Sequence, residues 1–586
     1  MKEKVTLQGK SLVFNALFAL LNLVGLSLIV IGYHDSFQVQ ATWYKIIGLV
    51  VLLLSVGGLL LFRGRLMMAA VARVLVGGIF IVSGLVKAND PIGFSYKLEE
   101  YFEDGALAFR IKEWFSSPGF SMEFLIDYAL FLSIVICIVE IVLGVLTIIG
   151  GKIKLVSYML LLLMLFFTFL TWHTANCDAT QKFVDHDTYT MSDPLAQLKL
   201  EDSKTNEELK IISQSDEELI VEEMKLPQCV DDCGCFGDAM KGSVGRSLTP
   251  KESFWKDIVL VYLVLWIFLA QWVIQPNTFR QNSAFIVSSV LVICFFSWVF
   301  GWYFPIFFGL ISIIGALWML RVGGKFLGNY WGSILMIVLL TVIMVGYVLM
   351  YLPLKDYRPY ALGSNLIEKM NDGVEGEYES LLVYANKKTG EKREYSATSL
   401  EYTESKIWED TDWKYESMVQ SVIVPTKIPS ITDQFNPFID VSDISDDELQ
   451  IAAFKEMYEN AKVDGTISEL SIRDLIVSSP QFVLVSSKNL MEGNWNIIDR
   501  LKGIQKECVK ADVPFAVICG ASREQINEFR KKHSFNAPIF VNDETELKAI
   551  SRSNPTLLVI EKGIVRGKYP FRSTPSKEKF KTKHLK

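Results

Sequence analysis

The sequence predicts a polytopic α-helical membrane protein that ends in an α/β domain. Long apolar runs recur up to about residue 352. Hydrophobic residues make up 51% of the 586, and the mean hydropathy of +0.30 is high for a water-soluble chain. Beyond residue 476, strand-like and helix-like segments alternate and close on a hairpin pattern, as in an α/β domain. At this length one core is not enough and several domains are expected. The net charge of −7 and the lack of a basic stripe speak against nucleic-acid binding.

Nine runs are long enough to cross a hydrocarbon layer of about 30 Å. They fall near 12–32, 42–62, 68–88, 125–149, 154–172, 256–275, 284–300, 303–320 and 331–352. Residues 1–66 hold the first two and 67–275 the next four, with a long loop at 173–254. Residues 276–352 hold the last three. The seventh and eighth runs meet at Gly301-Trp302-Tyr303-Phe304-Pro305, where Trp, Tyr and Pro mark a turn at the interfacial belt.

Charge sets the orientation. Lys2, Lys4, Lys10, Arg63, Arg65, Lys152, Lys154, Arg280, Arg321 and Lys325 all fall on one side of nine spans. The loop at 33–41, on the other side, has no Lys or Arg. The positive-inside bias therefore predicts a cytoplasmic N-terminus, with 89–124, 173–254 and everything after 353 outside. No small-residue cleavage site follows the first run, which reads as an uncleaved anchor.

The loop 173–254 is acidic, with Glu207-Glu208, Asp216-Glu217-Glu218 and Glu222-Glu223. Such runs suggest a solvated helix face or a mobile segment. Residues 353–475 read as a β-rich linker region with a hairpin from Leu381-Leu382-Val383-Tyr384 to Tyr395. In 476–572, strands are expected at Phe482–Val485, Phe515–Ile518, Ala537–Val541, Thr556–Ile560 and Ile564–Lys568, with a helix from Trp495 to Val509. Residues 573–586 form a basic tail, expected to be disordered and solvated.

Four of the eight cysteines, Cys177, Cys229, Cys233 and Cys235, share the 173–254 loop, on the side where disulfides form. Two thiols one residue apart, as in Cys233-Gly234-Cys235, can close only a small strained ring, the labile and reactive kind of disulfide. Cys177 and Cys229 are candidates for a second pair that closes the insertion. A zinc site is the alternative, with His173 and His186 as the nearby nitrogens, but it prefers wider Cys spacing. Cys508 and Cys519 read as buried structural thiols.

Lys87 ends the third run. Beside the thiols it would favour thiolate; otherwise it would snorkel to the interface. Arg73 and Glu140 lie roughly 10–14 Å from the cytoplasmic ends of the third and fourth runs at 1.5 Å per residue. A charge inside a span needs a partner, so an Arg73–Glu140 ion pair is expected.

Two stretches resemble the DoxX/MauE family of bacterial inner-membrane proteins. One is Ser83-Gly84-Leu85-Val86-Lys87-Ala88-Asn89-Asp90-Pro91-Ile92-Gly93-Phe94 with Tyr96 to Phe102. The other is Cys233-Gly234-Cys235-Phe236-Gly237-Asp238 with Phe254-Trp255-Lys256-Asp257. Together they bracket a four-span core at 67–275; the two spans before it and the acidic insertion at 178–228 depart from the family pattern. Asp356-Tyr357-Arg358-Pro359-Tyr360 resembles Bacteroidota members that carry a periplasmic thioredoxin-like tail. Asn554-Pro555-Thr556-Leu557-Leu558-Val559 with Gly563 is similar to the cis-proline strand of the thioredoxin fold. Where that fold carries its active pair, this chain has Ser486-Ser487-Lys488-Asn489-Leu490 and no cysteine.

The resemblance implies thiol–disulfide chemistry at the inner membrane, with electrons passing between a periplasmic or envelope client and a quinone. Cys233, Cys235 and Lys87 are the candidate catalytic residues, and the thioredoxin-like domain would recognise the client. A non-enzymatic membrane scaffold, with the cysteines only bracing loops, is the competing expectation. A transporter ranks third, since no repeated broken-helix pattern is visible.

Overall fold

A computed structural model describes residues 9–33, 41–61, 64–203, 209–230, 234, 236–322, 330–396, 399–424, 426, 428–432, 438–440 and 469–585. The chain divides into two units, Met1–Tyr357 and Arg358–Lys586. Among the described residues, nine helices are long and apolar enough to cross a membrane.

The first unit begins with α1 (Gly9–Ile31) and α2 (Ala41–Leu61). They cross where neither has a side chain: a Cβ on Gly25 would lie 2.7 Å from the Leu52 nitrogen, and one on Gly48 2.8 Å from the Gly25 carbonyl. Small residues at a crossing let two backbones approach within a bilayer. The third span, α3 (Arg65–Asn89), runs into α4 (Pro91–Phe102), whose first turn is capped by the Asp90 carboxylate accepting from the Gly93 amide at 3.0 Å. A π-turn at Asp104–Ala108 leads to the short α5 (Phe109–Phe115). Span α6 (Ala129–Ile149) packs along α3, and α7 (Ile153–Ala175) follows it after a tight turn.

The described part of the acidic insertion is a small sheet with one helix rather than a solvated helix face or a mobile stretch, while Glu207-Glu208 lies outside the described residues. It holds β1 (Phe183–Thr190), α8 (Pro194–Asp202), β2 (Leu209–Gln214) and β3 (Glu218–Lys225), with the strands antiparallel in the order β1-β3-β2. Leu219 and Val221 of β3 are buried, with Leu209 and Ala196, between acidic neighbours. Alternation, rather than charge density, decides the structure here. After α9 (Gly237–Val244), α10 (Pro250–Ala270) starts with a Thr249/Glu252 capping box, and α11 (Phe279–Val299) with a Thr278/Gln281 one. The expected turn at Gly301 is present, with Gly301 at φ +58°, and α12 (Phe304–Val322) and α13 (Trp331–Met350) follow.

The core of this unit is built on α3, with α6, α10 and α11 around it and α7 packed outside against α10. The α3–α6 crossing sets the register. A Cβ on Gly77 would meet the Gly144 carbonyl at 3.0 Å, and one on Gly84 would meet the Cys137 carbonyl at 3.1 Å.

The second unit starts with α14 (Leu366–Met370) and a three-stranded sheet in the order β5-β4-β6. Its strands are β4 (Glu377–Asn386), β5 (Lys392–Ser396) and β6 (Trp413–Val424), with α15 (Leu400–Ser405) before β6. Leu382 faces Tyr395, the hairpin read from the sequence. A two-stranded ladder of β7 (Phe438–Asp440) and β8 (Glu469–Ser471) precedes α16 (Ile472–Ser478).

The rest of the unit is a five-stranded sheet with helices on both faces. In chain order come β9 (Gln481–Ser487), α17 (Ile498–Lys510), β10 (Phe515–Cys519), α18 (Arg523–His533), β11 (Ile539–Val541), α19 (Glu544–Ile550), β12 (Thr556–Glu561) and β13 (Ile564–Pro570). The order is β11-β10-β9-β12-β13, with β9, β10 and β11 parallel and β12 antiparallel to both neighbours. The Asn554–Pro555 peptide is cis.

The basic tail also differs from expectation, because it folds as α20 (Lys577–His584) on α17. Ser576 caps it, Phe580 is fully buried, and Lys581 reaches Glu507 at 2.9 Å. One apolar anchor outweighs the charge that suggested disorder. Glu507, bridging Lys581 and Lys510, is held down to about 2 by those two contacts.

Candidate functional site

Ser83 and Lys87 lie four residues apart, so α3 presents both on one face. The Lys87 ammonium donates to Glu140 Oε1 at 2.5 Å and to Ser83 Oγ at 3.0 Å. The rings of Phe167 and Phe94 flank it, at 5.0 and 5.4 Å. Lys87 is 3% exposed and Glu140 2%. Glu140 Oε2 is buried and has no hydrogen-bond partner among the described residues. Cys137, also buried, sits about one turn from Glu140 on α6.

The expected Arg73–Glu140 pair does not form. Arg73 instead donates to the carbonyls of Thr147 and Ile148 at 2.8 and 3.0 Å and to Asn277 at 3.0 Å. The glycine contacts show why. Glu140 is level with Gly84, whereas Arg73 is level with the carbonyl end of α6. Counting depth from the ends of the two apolar runs assumes that they end together, but α3 begins about two turns beyond the end of α6. Arg73 therefore satisfies the orphan carbonyls of α6 and meets the negative end of its dipole.

The cysteine loop crosses the end of the core that holds Lys87. The Gln228 amide donates to the Gly105 carbonyl at 2.7 Å. Cys229 is disulfide-bonded to Cys177, with Cα atoms 5.6 Å apart. Val230 is buried with Tyr101, Leu107, Phe167 and Leu170. Cys233 and Cys235 lie outside the described residues, but Gly234 between them is placed. It has φ +66°, and a Cβ on it would lie 3.1 Å from Lys97 Cγ and 3.6 Å from Phe94. Both the positive φ and the tight approach call for glycine. Phe236 is buried next to Phe300 and Phe296, with the Lys256 ammonium 5.3 Å from its ring. Lys256 meets Asp257 at 3.0 Å, and Asp257 accepts from Thr171 at 3.0 Å, tying α10 to α7.

Phe94 thus stands between Gly234 and Lys87. Lys87 lies on the far side of the Phe94 ring from Gly234, and its charge is already matched by Glu140. Such a pair rewards completeness: removing one member strands a buried charge, at about 3–5 kcal/mol.

A charge network missed from the sequence anchors the insertion. Lys112 of α5 bonds Asp185 of β1 and lies 3.6 Å from Asp104. Lys225 of β3 meets Asp185 at 2.8 Å and Asp187 at 2.7 Å. Burial alone would push the Asp185 carboxyl up, but the two lysines hold it below its ordinary value. Asp104, Asp185 and Asp187 are close enough to share a cation, yet Lys112 and Lys225 already stand among them. The alternation of charges along β1 was the available signal.

His173 is buried near the end of α7, its ring 5.4 Å from that of Phe109, while His186 bonds Glu222 on the insertion sheet. The two histidines thus have different surroundings. In the second unit Cys508 and Cys519 are buried and their thiols are pushed up to about 12, mainly by that burial. Ser487, the last residue of β9, donates to the Asn554 side chain at 2.6 Å.

These features define a polytopic helical membrane protein with a polar, disulfide-braced cap over one end of its helix core. Residues 68–173, 106 of the 586, match the DoxX family. The match spans α3 to α7 and includes both Lys87 and Glu140. No curated protein matches the chain.

Proposed function

We propose that the protein carries out thiol–disulfide exchange at the outer face of the bacterial inner membrane, through Cys233 and Cys235. The observation that carries this is the anchoring of Val230, Gly234 and Phe236 around the two cysteines, over the DoxX-matching helices. The Cys177–Cys229 bridge suits an oxidising compartment and so supports an extracytoplasmic loop, a cytoplasmic N-terminus and a periplasmic second unit.

In the oxidising direction a client thiolate attacks one sulfur of the Cys233–Cys235 bond and releases the other as thiolate. The client's second thiolate then breaks the mixed disulfide, so that the client leaves oxidised and the pair is left reduced. Regeneration needs an acceptor of two electrons and two protons, and a quinone supplies that chemistry when bound. The apolar surface beside Phe236 and Lys256 fits such a molecule. The buried Lys87–Glu140 pair keeps the floor of the site rigid.

The sheet order of the second unit and its cis-proline support a thioredoxin-like reading. With Cys508 and Cys519 buried, its role is to bind the client rather than to exchange disulfides. The same burial favours the second reading, a membrane scaffold that assembles an envelope complex.

The two readings part in one experiment. Cys233→Ser and Cys235→Ser variants are expressed in membranes, thiols are acid-trapped, and adducts are resolved on non-reducing gels. Exchange predicts that one variant accumulates a mixed disulfide with a client that reductant releases. Wild-type behaviour of both single variants and of the double variant would leave only the scaffold.

A further inference from the structure

On the outward side of α5 two large rings stand exposed, Trp114 at 54% and Phe115 at 74%. The other side of the helix is buried through Phe109 and Lys112. Lys112 and Trp114 are two residues apart, about 200° around a helix, so this short segment has two faces of opposite character.

The neighbouring span identifies what covers the rings. Tyr158, Leu162 and Leu165 of α7, each more than half exposed, recur at i, i+4 and i+7 on one face. In a helix that crosses a bilayer such a face meets lipid. The same stripe ends on Phe169 and Trp172. Trp114 packs on both, its ring 5.9 Å from that of Phe169 and 5.6 Å from that of Trp172. The exposed face of α5 therefore continues the lipid-facing side of a span, at the level where aromatic rings gather.

We propose that α5 is a membrane-surface anchor: Trp114 and Phe115 enter the interfacial layer of the bilayer and hold the acidic insertion sheet against it. The sheet hangs on the opposite face of the same element. The Phe183 ring lies 5.3 Å from that of Phe109, Asp185 bonds Lys112, and the His186 amide donates to the Pro118 carbonyl at 3.3 Å. These three β1 residues tie the first strand of the insertion to α5 and to the turn that follows it.

Charge shows why the sheet needs such an anchor. Residues 178–228 hold thirteen acidic and five basic side chains, so an anionic bilayer repels them. From Glu113 to Tyr128 there is no Lys or Arg with which to hold lipid headgroups. Attachment therefore rests on the rings, in the manner of an interfacial helix that buries its apolar face at the acyl boundary. It holds for either side of the membrane and is independent of the thiol chemistry.

The test uses the full chain, one copy per nanodisc so that no second copy can cover the rings, in phosphatidylcholine that includes a diazirine-labelled acyl chain. Carbene adducts should map to Trp114 and Phe115 as well as to Leu162 and Leu165 of α7. Hydroxyl radicals should oxidise Trp114 roughly tenfold less than Trp408, a 46% exposed reference in the second unit. Replacing about half of the lipid by phosphatidylglycerol should leave that ratio within about twofold. Phe115→Ser removes a ring whose surface lies mostly outside the protein, and should speed amide exchange in β1 roughly tenfold while β9 is unchanged. Comparable oxidation of Trp114 and Trp408 overturns the proposal, as does labelling of Leu162 and Leu165 without Trp114 or Phe115. Protection that appears only with phosphatidylglycerol overturns it in favour of a headgroup contact. Exchange in β1 that matches the parent in Phe115→Ser overturns the anchoring role even where the rings take up adducts.

Discussion

Replacing Lys87 by methionine is expected to be among the most damaging single changes in the membrane unit. Lys87 and Glu140 are 3% and 2% exposed and 2.5 Å apart, so Lys87→Met strands a carboxylate in a near-dry interface. Loss of one member of such a pair costs about 3–5 kcal/mol, whereas replacing both by apolar residues is often neutral or stabilising. Lys87→Met with Glu140→Leu should therefore recover most of the loss, and the two changes should couple by at least about 2 kcal/mol. Arg73 provides the control. It lies level with Ile148, eight residues or about 12 Å along α6 from Glu140. Arg73→Met and Glu140→Leu should therefore add to within about 0.5 kcal/mol. Reversible unfolding in mixed detergent and dodecyl sulfate, followed by circular dichroism, gives each free energy. Additivity of Lys87 with Glu140, or strong coupling of Arg73 with Glu140, would refute the register described for α3 and α6.

Two further outcomes are expected. Asp185 is held below its ordinary value in the folded chain, so it stabilises the insertion above the unfolded carboxylate pKa of about 3.9, and that contribution fades as pH falls through the folded value. Amide exchange in β1 and β3 should accelerate below about pH 4, and from a higher pH in Lys112→Met; equal protection at pH 7 and pH 3 in the parent chain would argue against the network. Phe580→Ala should cost the second unit about 3–5 kcal/mol, read as faster amide exchange in α17, and no change there would show that α20 does not help to build the core.

The spans were legible because crossing a bilayer demands only apolar length, which a sequence states directly. The strands of the second unit were legible for a related reason: Phe482–Val485 and Thr556–Ile560 are unbroken runs of the kind that central strands need. Depth was not legible. The partner of Glu140 depends on the stagger between α3 and α6, which Gly77, Gly84 and Gly144 set through contacts no single helix reveals. The insertion sheet was hidden because Leu219, Ile220 and Val221 are a short apolar run between Glu218 and Glu222-Glu223, whose charge dominated the reading. In the tail, Phe580 lay within a run of lysines and its single buried ring decided the structure. The cysteine spacing left several pairings open, and only the fold brings Cys177 to Cys229.

The Lys87–Glu140 contact also constrains how the protein enters the bilayer. An ionised side chain near the centre of a lone helix costs about 2.5–3.5 kcal/mol on leaving the insertion machinery. The fourth span can meet that cost, since its mean hydropathy of 2.9 is the highest of the nine. Even so, its glutamate stays without a counter-charge until the third span is beside it. The two spans are separated by α4 and α5, so α3 must remain close to the exit site while those helices are made. Biogenesis should accordingly depend on the order and timing of release, and a longer connection between α3 and α6 would slow membrane integration even where the finished fold tolerates it.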